Sequence, residues 1–351
     1  MMSAIFLSEY ILPAFGATPD IMDYATQYLV ITAYGAPQII FILVASSLIR
    51  GSGDAVKPMV MTITASVVNI ILDPFMILGI GPFPEMGIRG AALATVIAQS
   101  VGAAIGIYYL FANRTSYRIR IGHIWPDLPI LKDIYRVGAP ASILEITESF
   151  SFILFNRVVS AYGSVAIAAV GLILRISDLA FMPIIGVSNG LLPIIGFNFG
   201  AKNYQRLWKA AKIASVSIAL LLAAATVILE IFTPGIVGIF SKDPELLETT
   251  VPAMRILLST MVFIGPTIMF ITVFQGLSRG TMALVLSLAR QFLMFVPLLY
   301  LMSYFFGLYG IWWALPISDI LSFALTYAFI FLEYRKQKKS HDWTGFALPS
   351  G

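Results

Sequence analysis

The sequence predicts an all-α membrane protein of two helical bundles joined by a parallel internal repeat, and three observations carry that prediction. First, 59% of its 351 residues are hydrophobic and only 11% charged, against roughly a quarter charged in an ordinary soluble domain. Mean hydropathy is +0.89, and apolar runs exceed the about 18 residues that mark a transmembrane helix. Second, basic residues collect in alternate connections. Third, two stretches of the chain echo one another.

The elements follow in order. Residues 1 to 14, within "MMSAIFLSEYILPAF", lack a basic leader and carry Glu9 inside an apolar run, which is unlike a signal peptide. They are also short of the roughly 30 Å that a span must cross, so they read as the second half of a helix. Nine complete spans follow, at about 27 to 49, 58 to 80, 88 to 111, 138 to 160, 164 to 195, 213 to 239, 251 to 275, 282 to 304 and 310 to 332. In the long fifth run, Pro183 and Gly186 predict a kink, and Gly190 and Pro193 predict the end.

Between the first two spans, "RGSGDAVKP" (50 to 58) is a polar turn. It holds too few glycines for either nucleotide-binding fingerprint. Its glycines permit the turn and Pro58 opens the next helix.

Counted by connection, one side holds 17 of the 22 basic residues, among them Arg50, Lys57, the Arg114 to Arg136 group, Lys202 to Lys212, Arg279, Arg290 and the group from Arg335 to Lys339. The other side has Arg89 and Lys242 beside Asp20, Asp23, Glu85, Asp243, Glu245 and Glu248. This bias makes the first side, with the C-terminus, cytoplasmic. The net charge of +4 therefore reflects topology and does not point to nucleic acid. There is no cysteine, and His123 and His341 have no partner at metal-ligand spacing. No metal or cofactor site is expected.

The repeat aligns "FGATPDIMDYATQYLVI" (15 to 31) with "FSKDPELLETTVPAMRI" (240 to 256), matching Phe15 to Phe240, Pro19 to Pro244 and Ile31 to Ile256. The same offset places Gly51 on Gly276. After a short deletion, "GIRGAALATVIAQ" (87 to 99) aligns with "GLYGIWWALPISD" (307 to 319), pairing Gly87 with Gly307 and Gly90 with Gly310. The second copy holds six helices, an even number, so the copies run parallel. The expected organisation is an incomplete N-lobe at 1 to 112, a cytoplasmic linker at 113 to 131, a C-lobe at 132 to 335 and a tail at 336 to 351. On a six-plus-six plan the first about two and a half helices are missing.

"LIRGSGDAVKPM" (48 to 59), "NIILDPFMILGIGPFPEMGIRGAALATVIAQ" (69 to 99), "VGAPASILEITESF" (137 to 150) and "GFNFGAKNYQRL" (196 to 207) resemble the multidrug and toxic compound extrusion (MATE) transporters, from about residue 10 to 335. The resemblance implies twelve helices in two lobes. It also implies a cation-coupled antiporter that exports organic cations and other amphipathic small molecules, exchanging H+ or Na+ through a cleft opening to alternate sides. It implies no cofactor, no enzyme activity, a multi-pass location in the cell membrane and a monomer with small-molecule and lipid partners.

Intramembrane charge is costly, so each ionisable residue within a span is a functional candidate. On 138 to 160, Glu145 and Asn156 fall within about 20° of one another around the helix and Glu148 about 60° round, forming one polar stripe. Glu148 lies eight residues after Pro140, where related transporters with an acid in this helix use it for cation coupling; the resemblance carries that role to Glu148, with Na+ as one ligand. The competing reading pairs Glu145 or Glu148 with Arg157 or Arg175. Arg175 and Asp178 share a helix face and are expected to pair, while Asn189 lies on nearly the face of Asp178 as a further cleft candidate. Gln275 reads as a packing residue and Asp73 as structural. Phe150, Phe152, Phe155 and Phe181 are candidate aromatic faces for a cation, against the competing reading that rings at helical spacing face lipid or core.

Two family features are not met. The branch with its coupling aspartate in the first helix has no counterpart helix here, and the span 251 to 275 has no acid. Three other readings compete: a flippase for lipid-linked oligosaccharides, which calls for a cationic cleft; an inactive fragment; and an intramembrane enzyme, for which neither an HExxH pair nor a Gly-x-Ser-x-Gly elbow is found.

Overall fold

The computed structural model describes residue 12 and residues 19 to 111 and 127 to 340, and among them the secondary structure is helical without strands. The chain divides into two compact units, Met1–Trp125 and Pro126–Gly351. Among the described residues five helices are long and apolar enough to cross a membrane, or up to seven if each of two bent pairs counts as one span.

In the first unit, α1 (Pro19–Tyr34) and α2 (Ala36–Gly51) form a pair bent by 50°, where the sequence predicts one run. Gly35 separates them, its N–H bonded to the Thr32 carbonyl at 2.9 Å. The Pro37 that follows has no N–H to continue the ladder. The "RGSGDAVKP" turn is stapled by Asp54, whose Oδ1 accepts from the Val56 and Lys57 N–H groups at 3.0 and 3.1 Å. Lys57 Nζ closes an ion pair with Asp54 at 2.7 Å. These are the orphan donors at the start of a helix, and α3 (Val56–Leu78) begins on them. It ends on Gly79 at φ 69°, a left-handed residue suited to glycine.

Helix α4 (Ile88–Phe111) is the centre of this unit, with α1, α2 and α3 packed against it. Its buried Gly90, Ala94, Ala98, Gly102 and Gly106 repeat every four residues and allow close backbone approach. A Cβ on Gly90 would fall 2.2 Å from the Met76 carbonyl oxygen.

The second unit comprises α5 (Leu128–Ser160), α6 (Ser164–Gly200), α7 (Tyr204–Phe240), the bent pair α8 (Pro244–Leu258) and α9 (Met261–Gly276), α10 (Gly280–Leu288), a π-helical segment (Ala289–Phe295) and α11 (Val296–Ser340), which is two helices broken at Gly307, whose φ of 59° and ψ of −142° are not helical. Asn203 caps α7 by accepting from Arg206 N at 3.2 Å, and Asp243 caps α8 from Glu245 N at 3.1 Å. The core gathers Ile195, Leu222, Phe274 and Trp312 between α6, α7, α9 and α11. Rings on α9 and α11 interlock, with Phe263 and Phe323 centroids at 5.2 Å. Glu333 is buried, paired with Arg279 and bonded to Gln337, which accepts from Trp208 Nε1 at 3.1 Å.

The echo of the first unit is physical. Gly87 and Gly307 both adopt positive φ, 52° and 59°. Gly310, Ala314, Ser318, Ser322 and Thr326 form a buried stripe in α11, one residue in every four, at the register of the α4 stripe. A Cβ on Gly310 would fall 2.0 Å from the Met302 carbonyl oxygen.

Several expectations need correction. Helix α6 carries Pro183 and Pro193 inside it and runs on to Gly200. Proline lacks one donor without obliging the helix to end. Helix α5 starts at Leu128, inside the expected linker, and α11 continues through Lys336 and Lys338 to Ser340, inside the expected tail. Arg290, counted above among cytoplasmic charges, stands about ten residues inside a helical run that begins at Gly280. At 1.5 Å per residue that is about 15 Å from the helix start, near mid-bilayer. The proposed half-helix at 1 to 14 and most of the linker lie outside the described residues.

Candidate functional site: a cavity in the second unit

Five residues of α6 share one broad face. Phe181, Ile184, Ile185, Ser188 and Asn189 follow the spacing of three, four and seven that one side of a helix presents, and they form one wall of a cavity of about 430 Å³. Helix α9 supplies Ile264 and Ile268, α5 supplies Glu148, and the π segment supplies Arg290 and Gln291. The α6 and α9 walls are tied by Ser188 and Thr272, whose hydroxyl oxygens lie 2.6 Å apart. Thr272 Oγ1 donates to the Ile268 carbonyl, so Ser188 is the donor of that pair.

The Arg290 part of the wall is held by α11, which does not itself line the cavity. Asp319 is buried, and its Oδ1 accepts from Arg290 Nε at 3.1 Å. Ser318, beside it in sequence, donates from Oγ to the Arg290 carbonyl oxygen at 3.3 Å. Two adjacent α11 residues therefore hold both the side chain and the backbone of Arg290. The π segment spaces its carbonyls for i→i+5 bonds, a local widening that recurs at functional positions in helices. A Phe150–Phe292 contact at 6.0 Å and a Phe155–Phe295 contact at 6.1 Å seat it against α5.

Of the residues expected from sequence, Glu148 and Asn189 line this cavity. Asn156 is half-buried and Asp178 is exposed, and neither is among the lining. The side chain of Glu145 lies outside the described residues. The predicted Arg175–Asp178 pair does not form; both side chains are exposed. One turn of spacing brings two side chains within reach without supplying enough energy to hold them there. Phe181 is the expected aromatic that reaches the cavity, whereas Phe155 is buried in the core and Phe152 is exposed. In the first unit Asp73 accepts from Asn69 Nδ2 at 3.3 Å, in keeping with a structural role.

Arg290 and Asp319 were missed as a site. The signal was present: each is a charge inside a predicted span, the pattern already applied to Glu148.

Comparison with known proteins adds a family. A family model described as MatE matches residues 1–75 and 140–301. The multidrug export protein MepA of Staphylococcus haemolyticus is 26% identical over 303 residues, covering 86% of this chain and 66% of its own length. MepA of Staphylococcus saprophyticus is 27% identical over 323 residues, covering 92% and 70%. The chain thus spans about two thirds of the length of these curated relatives. Among solved structures, a MATE protein in a bent conformation superposes with a TM-score of 0.85 at 26% identity, over 97% of this chain and 75% of the other. A MOP superfamily transporter from Pyrococcus furiosus Vc1, described as having a binding pocket of reversed polarity that suggests a different function, superposes with a TM-score of 0.88 at 26% identity, over 96% and 75%.

Proposed function

This chain belongs to the MatE family of membrane transporters, and on that premise we propose that it exports amphipathic small molecules in exchange for H+ or Na+, with Glu148 as the coupling carboxylate. The multi-pass character follows from the apolar helices; the named activity of the relatives, multidrug export, supports the choice of substrate class. The single observation that carries the reading is Glu148 on the wall of the cavity. The carboxylate shares that wall with Ile184, Ile264 and Ile268. It binds a proton or cation on one side of the membrane and gives it up when the cavity opens to the other. We place the C-terminus in the cytoplasm, on the bias of basic residues, and take the transporter to act as a monomer by alternating access.

The test is efflux from proteoliposomes under a proton gradient and, separately, a sodium gradient. Glu148→Gln keeps the shape and removes the titration. It should lower gradient-driven efflux by about tenfold or more while leaving substrate binding within a few-fold. Unchanged efflux in that variant rejects Glu148 as the coupling group.

A second reading gains from Arg290. A flippase for lipid-linked sugars calls for a cation to meet phosphate, and the cavity wall holds one. Movement of a fluorescent lipid-linked phosphosugar across the bilayer, with no efflux of soluble dyes, would favour that reading.

A further inference from the structure

We propose that Arg290, oriented by Asp319, is an anion-binding subsite of the cavity that takes the carboxylate of an amphipathic substrate; this deepens the exporter reading and rests on it. A guanidinium offers five N–H donors in a planar fork. Nε is spent on Asp319 Oδ1 at 3.1 Å, and no described residue accepts a hydrogen bond from either Nη. The side chain is 20% exposed while that of Asp319 is 4%. The acid therefore closes off the rear of the fork, and the exposed part belongs to the cavity wall.

The placement suits an anion for three reasons. The backbone carbonyl of Arg290 is held by Ser318, so the fork is preorganised and loses little freedom on binding. The neighbouring wall of Ile264, Ile268 and Phe181 is apolar, and hydrogen bonds to a charged group are stronger in such surroundings than in water. Asp319 behind and a carboxylate in front would flank the guanidinium, as in other charge triads, whereas a bare cation in front would meet like charge.

The experiment measures binding and efflux of a xanthene dye bearing a free carboxylate, against the methyl ester of the same dye, with the chain in lipid nanodiscs and in proteoliposomes. Three forms are compared: the parent chain, Arg290→Lys, and the double variant Arg290→Gln/Asp319→Asn. The double variant removes both charges together, so that no buried acid is left alone. The acid should bind the parent more tightly than either variant, with Kd rising about tenfold to a hundredfold in the double variant and by a smaller factor in Arg290→Lys. The ester should change less than about threefold across all forms.

An equal change for acid and ester, or no change for the acid, overturns the subsite while leaving the exporter reading intact. If neither dye binds or leaves with the parent chain, the exporter reading fails and takes the subsite with it. Displacement of the acid from the parent chain in detergent by a short-chain phosphatidylglycerol, but not by the matching diacylglycerol, would put a lipid phosphate on Arg290 and overturn the carboxylate assignment.

Discussion

At the scale of the residue, the Arg290–Asp319 pair separates what holds the fold from what does the work. Asp319 is 4% exposed, and removing its partner strands a buried charge. Arg290→Gln alone should therefore lower unfolding stability by about 3 to 5 kcal/mol. Arg290→Gln/Asp319→Asn, which leaves two neutral hydrogen-bonding groups, should cost clearly less. Thermal unfolding in detergent checks the order of the two, and equal losses would deny that the pair is coupled. Asp54 shows the surface case. The Lys57 ammonium and the helix N–H groups hold its carboxyl below the ordinary 3.8, so its contribution is present above that value and fades as pH falls through the lowered one. Asp54→Asn should flatten the acid-side slope of a melting-temperature profile between about pH 5 and pH 3, by well under 1 kcal/mol because the pair is partly exposed and screened by solvent. An unaltered slope would mean that another carboxyl sets it.

At the scale of the element, small residues decide which helices touch. Gly90 and Gly310 each face a carbonyl oxygen so closely that an added methyl group would lie 2.2 and 2.0 Å from it. Backbone cannot rotate aside as a side chain does. Gly90→Ala or Gly310→Ala should each cost about 1 to 3 kcal/mol by forcing the helices apart, whereas Gly171→Ala, with nothing within 4 Å of its added Cβ, should change stability by less than about 1 kcal/mol. Denaturation of the three variants side by side tests this.

These contacts were partly legible. Gly90 and Gly310 were matched in the repeat from sequence, and hydropathy placed most helical runs because apolar length is imposed by the bilayer. The 50° bend at Gly35 and the π segment at Ala289–Phe295 were not legible, since each depends on how neighbouring helices pack. Nor were the proline positions in α6 decisive, because a packed bundle accommodates the missing bond.

At the scale of the molecule, a weak echo in sequence indicated two bundles, and the chain falls into two units, each with its own packed helices. The site was half legible. Glu148 and Asn189 stood out as polar residues in apolar runs, but their wall is completed by Arg290, 142 positions after Glu148 in sequence, and by Asp319 behind it. Nothing local in the sequence joins three such helices; packing does. Asn156 and Asp178 were polar residues on the predicted helices that packing left out of the cavity.

The central claim is that a carboxylate on this cavity couples cation entry to substrate export. It is tested most directly by counter-transport in proteoliposomes, recording dye efflux and the accompanying cation flux together for the parent chain and for Glu148→Gln. The account predicts a fixed ratio of cation to dye in the parent, for either H+ or Na+, and loss of at least about 90% of the coupled cation flux in the variant, with dye binding kept within a few-fold. Dye efflux that runs with no cation movement, or cation flux indifferent to Glu148→Gln, would contradict it.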